Sequence, residues 1–281
     1  MKLVKLDKDL YSLPSKWPEL TNEQVIFLAK LLLQDGSYTK LKVIYCLYLM
    51  GLNLKYANPV MVNHERLYYV KHSRTKVYLL SIEQIYSLVA GIEWLFFNQE
   101  TPDGKQISVN PRLTANPVRD IKIRLTKLRG PDDALGNITY IEFMFAETYL
   151  YRYESTQDSK WLAMFIATLW RPLKKGTVEP FDQVKLERWA KRTAKIKPHV
   201  ALAIRWYYAG SKYFLSTKYK HVFGGASAGK PQDPFEGYMK LATTLSSADA
   251  TKTNDLMNTS LYFALSALDA MLEASEHNKK K

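Results

Sequence analysis

The sequence has one cysteine, Cys46, and it sits inside the apolar run Val43-Ile44-Tyr45-Cys46-Leu47. A single thiol excludes a disulfide framework and a cysteine-based zinc cluster within the chain. The five histidines, His64, His72, His199, His221 and His277, are scattered, and His64-Glu65 is not followed by the second histidine that a zincin helix requires. Long hydrophobic runs are missing too. The most apolar stretch is interrupted by Glu142, Glu147, Arg152 and Glu154, whereas a membrane span needs about 20 nearly uncharged residues. Residues 1–9 alternate charges with single apolar side chains and contain no hydrophobic segment of a secretory signal. These absences lead to an expectation of a non-enzyme with no cofactor, no metal and no membrane partner, made and kept in the cytoplasm or in whatever particle is assembled there.

Acids are scarce in one region. Between Val184 and Lys230 the chain carries eleven Lys and Arg residues against Glu187 alone, a local excess of +10 out of a formal net charge of +13. A local basic face is a footprint for phosphate or for an acidic protein surface. The residues Lys185, Arg188, Lys191, Arg192 and Lys195 recur every three or four places on a helix expected from Phe181-Asp182 to Ile196. That spacing puts them on one side, with Leu186, Trp189, Ala190 and Ile196 toward a core. They are the candidate interaction face. Aromatic residues interleave with lysines, as in Lys212-Tyr213-Phe214 and Lys218-Tyr219-Lys220. Such a mixture stacks bases and tracks a nucleic-acid backbone, or the aromatics pack a core while the lysines solvate its surface. Gly224-Gly225-Ala226-Ser227-Ala228-Gly229-Lys230 matches seven positions of a phosphate-binding P-loop, but Pro231 stands where the magnesium-binding hydroxyl belongs. A flexible loop is expected there, from Ser216 to Pro234.

Helical signals dominate the rest. Three capping boxes, Thr21-Asn22-Glu23-Gln24, Ser81-Ile82-Glu83-Gln84 and Thr139-Tyr140-Ile141-Glu142, mark helix starts, because hydroxyl and carboxyl or amide satisfy each other's backbone amides. The hub is Gly130 to Pro172, a helical hairpin apolar on every side and therefore buried. Its carboxylates Glu142 and Glu147 are five residues apart, which favours capping and surface roles over an acid–base pair. Arg66 to Leu80 has the pattern of a β-hairpin with a basic tip. Asp120 to Arg129 alternates Ile121, Ile123 and Leu125 with Lys122 and Arg124, as in a strand with a basic outer face. The expected architecture is mainly α, a multi-helix globular domain with a small β-hairpin and long irregular arms. It divides into an N-terminal arm (1–20), a helical hairpin with β-hairpin and helix (21–97), an extended arm (98–129) and a helical core bearing the basic face (130–281), closed by helices from Pro234 to Leu245 and from Asn254 to Glu276.

The motifs Gly130-Pro131-x-Asp133-x-Leu135-x-Asn137, Glu142-Phe143-x-x-Ala146-Glu147, Tyr153, Ala167-Thr168-Leu169-Trp170-Arg171-Pro172 and Glu179-Pro180-Phe181 together carry a resemblance. Across residues 80–270 the chain resembles proteins encoded among the virion-assembly genes of tailed phages and prophages of Bacteroidetes-type bacteria. The resemblance implies a structural or assembly role in the neck or tail region, with other phage structural proteins and DNA as partners in an oligomeric assembly, and a location in the virion or host cytoplasm. It implies no residue roles. A nucleic-acid-binding protein of packaging or regulation and a tail-assembly chaperone absent from the finished particle are the alternatives.

Overall fold

The computed structural model describes residues 1–34, 37–54, 59–72, 76–101, 104–110, 112–224 and 233–279. The chain forms two compact units, Met1–Pro111 and Arg112–Lys281. Among the described residues both are built from helices and short antiparallel strands, with helix predominating.

The first unit begins with a β-hairpin, β1 (Lys2–Leu6) and β2 (Asp9–Leu13), paired from Lys2↔Leu13 to Leu6↔Asp9. This corrects the reading of residues 1–20 as an irregular arm. The hairpin is amphipathic: Leu6 and Leu13 are buried while Leu3 and Leu10 face solvent. Trp17 then anchors the segment, its indole nitrogen donating to the Asn110 carbonyl at 3.1 Å, and Trp94 packs edge-on against it and donates to the Pro14 carbonyl. The helices α1 (Asn22–Leu32) and α2 (Tyr38–Leu49) follow, and Gly51 in the left-handed region turns the chain after α2. Strand β5 (Glu65–Lys71) pairs with β3 (Asn53–Leu54), β4 (Val60–Val62) and β6 (Val77–Ser81). The basic tip expected between β5 and β6 lies partly outside the described residues. Helix α3 (Ile82–Val89) gives way to a 3-10 turn at Ala90–Leu95, earlier than the expected end near Phe97. The next strands, β7 (Phe96–Thr101) and β8 (Gly104–Val109), pair over six rungs. The first part of the expected 98–129 arm, through Val109, is therefore a ladder. Positions 102, 103 and 111 lie outside the described residues.

The second unit opens with the other half of that arm, and it is built into the core. Asn116 is buried. Its side chain donates to the Pro131 carbonyl at 2.6 Å and accepts from the Val118 amide at 3.0 Å. The Trp170 indole donates to the Val118 carbonyl at 2.8 Å. The segment, expected as part of an extended arm, instead gives its backbone polar groups side-chain partners, which is what burial demands. The strands β9 (Asp120–Ile123) and β10 (Thr126–Arg129) make a hairpin, and β11 (Arg171–Lys174) with β12 (Thr177–Val178) completes a sheet of order β12-β11-β10-β9. The expected face Ile121, Ile123, Leu125 ends at Ile123, because Arg124 takes a left-handed φ of 53° and turns the chain, leaving Leu125 fully exposed.

Between β10 and β11 stand α4 (Tyr140–Thr156) and α5 (Ser159–Leu169), the expected hub. Phe143, Phe165 and Trp170 have no exposed surface. Trp161 is half-buried, stacked on Tyr149 at 5.9 Å with the Arg152 guanidinium over its ring. Phe165→Ala should accordingly cost about 3–5 kcal/mol, and Trp161→Ala clearly less, in denaturant unfolding. Equal losses would place Trp161 in the core.

The remaining helices are α6 (Gln183–Thr193), α7 (Pro198–Lys218), α8 (Lys220–Phe223), α9 (Pro234–Leu245), α10 (Ala250–Asn258) and α11 (Leu261–Lys279). Pro198 occupies the first turn of α7, where a missing amide costs nothing. Of the expected 216–234 loop, the part through Phe223 is helical, α8 being capped by Asp269 accepting from the His221 and Val222 amides. Residues 225–232, with most of the P-loop-like motif, lie outside the described residues. The expected closing helix is divided into α10 and α11, because the break is used elsewhere: Thr259 accepts from the Tyr140 amide and the Leu261 amide donates to Ile138, tying it to the start of α4.

Candidate functional site

The five residues singled out by spacing lie on α6 and the turn after it. Asp182 starts the helix by accepting from the amides of Val184 and Lys185 at 3.0 and 3.4 Å, and its carboxyl is held below its ordinary range by the Lys185 ammonium, 3.0 Å away. The helix buries Leu186, Trp189, Ala190 and Thr193 against α5, and the Thr193 hydroxyl fixes the pairing by donating to the Ala163 carbonyl at 2.7 Å. With 3.6 residues per turn this burial dictates the opposite side. Arg188, Lys191 and Lys195 are exposed there, and Lys185 and Arg192 are half-buried at its flanks. Lys185 is paired with Asp182. Arg188, Lys191, Arg192 and Lys195 have no ion pair among the described residues.

The turn from α6 to α7 faces the β9–β10 turn across a cleft of about 490 Å³. Lys195, Lys197 and His199 line one wall, Lys122 and Arg124 the other, and the rest of the lining is isoleucine and valine. Lys122, Arg124 and Lys197 also have no ion pair among the described residues. Spacing along α6 could not reveal Lys122 and Arg124, which come from a distant hairpin. The one available signal was the alternation of basic residues on β9.

The two carboxylates of the hub are buried, correcting the surface role expected for them. Glu142 closes the capping box of α4, accepting from the Thr139 amide at 3.1 Å, and its other oxygen meets Arg171 at 2.6 Å. Burial raises its pKa above the ordinary 4.5, opposed by the Arg171 charge. Glu147 accepts from the Tyr208 hydroxyl at 2.9 Å and the Tyr238 hydroxyl at 3.4 Å and pairs with Lys212 at 2.5 Å. Burial, and after it the Glu147 charge, pushes both phenols far above their usual pKa. Each carboxylate is thus held by its own partners, and these contacts join α4 to β11, α7 and α9.

No family model, no curated protein and no solved structure matches the chain. Among the described residues no helix is long and apolar enough to cross a membrane.

Proposed function

We propose that this chain is a non-catalytic assembly protein that docks on an acidic partner through the outer face of α6. The observation that carries the reading is the state of that face: four cations, Arg188, Lys191, Arg192 and Lys195, have no ion pair among the described residues and stand on a helix and its following turn whose other side is locked into the core. Unpaired like charges repel one another, and an acidic partner relieves that repulsion. The β1–β2 hairpin, with Leu3 and Leu10 about 70% exposed, supports further contacts with neighbouring proteins. Together with the resemblance to proteins encoded among virion-assembly genes, these features favour a place in the neck or tail region of a tailed phage. Detection of the protein in purified particles by mass spectrometry would test that setting.

The docking face is tested by reversing Arg188→Glu and Arg192→Glu together. The variant should lose retention on immobilised polyanions, duplex DNA and polyglutamate alike, while circular dichroism shows its helix content unchanged, since Arg188 is exposed and Arg192, half-buried at the flank, has no ion pair among the described residues. Wild-type retention at physiological salt would make the face a solvated surface only.

A further inference from the structure

The cleft beside α6 has a composition that α6 alone does not have. Lys195 and Lys197 on one wall and Lys122 and Arg124 on the other bring four cationic side chains, unpaired among the described residues, to a single concavity with no carboxylate in its lining. Folding has gathered them from two chain segments at the cost of holding Arg124 in a left-handed conformation that a side chain disfavours. Cations converging from two walls are the arrangement that charge-assisted hydrogen bonds to a phosphate's several oxygens require. We propose that this cleft is a phosphate-binding site that seats the backbone of a nucleic acid. The proposal rests on the basic-face reading above and names its partner.

What favours a nucleic acid over an acidic protein is continuity. Lys195 belongs both to the cleft and to the α6 face, so the cations run from the cleft along the helix through Arg192, Lys191 and Arg188 to Lys185, a track of about 15 Å at 1.5 Å per residue. The one acid on α6, Glu187, is in the sequence between them. A duplex offers one negative charge about every 1.7 Å of its axis.

The test uses the full chain and a labelled 20-base-pair duplex, read by fluorescence anisotropy across a salt series, with polyglutamate as the parallel probe. The cleft variant combines Lys122→Gln, Arg124→Gly and Lys197→Gln. Glycine suits the left-handed position, so the hairpin keeps its turn, and circular dichroism confirms that the fold is intact. Wild-type protein should bind the duplex with a steep salt dependence. The cleft variant should bind at least tenfold more weakly, with the slope of log K against log salt reduced by about 3, one for each lost phosphate contact. A cleft variant that binds DNA like the wild type, while the Arg188→Glu/Arg192→Glu protein does not, overturns the cleft and leaves the basic face standing. Binding of polyglutamate but not of DNA overturns the nucleic-acid partner and again spares the face. Binding of neither overturns both.

Discussion

Gly210→Ala should destabilise the second unit by about 3 kcal/mol or more, the upper end of what overpacking costs. In an ordinary helix interior the same change is stabilising by about 1 kcal/mol, since alanine is the best helix former and glycine nearly the worst. Gly210 lies in the middle of α7 and is buried. A methyl group there would stand 2.2 Å from the carbonyl oxygen and 2.5 Å from the amide nitrogen of Leu113. Those are backbone atoms of the segment that Asn116 and Trp170 pin in place, so relief requires moving the whole segment off α7. Chemical denaturation monitored by tryptophan fluorescence measures the effect. A variant as stable as the wild type, or more so, would show that the segment does not lie on α7 as described.

The second large effect is expected at Arg171. Replacing it by methionine leaves Glu142 buried without its counter-charge, and losing one partner of a buried pair typically costs about 3–5 kcal/mol. The loss should depend on pH. Burial already holds the Glu142 carboxyl above its ordinary 4.5, and removing Arg171 removes the main influence that lowers it. A carboxyl with a raised pKa in the folded state takes up a proton on folding. Its stability is therefore greatest below 4.5 and falls as pH rises through the raised value. The Arg171→Met protein should come closer to the wild type as pH is lowered toward 4. Glu142→Gln combined with Arg171→Met should recover most of the loss and flatten that dependence, since a neutral amide needs no counter-charge. A loss of the same size in both variants and at every pH would mean that Arg171 contributes by packing alone.

What could be read from the sequence was whatever is encoded locally. Thr21, Ser81 and Thr139 each cap a helix with the partner three residues on, and all three boxes form as their spacing dictates. The burial of Phe143 and Phe165 and the orientation of α6 followed from helical periodicity in the same way. What could not be read depends on partners far along the chain. A glycine such as Gly210 weakens a helix by propensity alone, and only the approach of Leu113 shows why a side chain is excluded. Locally, Pro172 dictates only that the preceding helix must end, although Arg171 also begins β11, whose partner strand β10 precedes the whole hub. Ser260 interrupts what reads as one amphipathic helix, because its neighbours bond to the chain entering α4. Of the candidate site, the α6 half was legible and the β9–β10 half was not. Lys122 and Arg124 reach the cleft only because the sheet carries their turn to the end of α6.

The insertion of α4 and α5 between β10 and β11 also bears on how the second unit is made. Two strands separated by that much chain pair slowly when they must find each other by diffusion, because loop-closure entropy is lost before any contact compensates it. Here the intervening chain is a helical hairpin that a capping box can start locally, and once its helices dock their outer ends lie close enough for Arg129 to meet Arg171. The sheet is then closed by a preformed clasp. Refolding of this unit should therefore slow when the α4–α5 contact is weakened, as by Trp161→Ala, which removes the ring stacked on Tyr149, and respond far less to changes within β12 at the sheet edge.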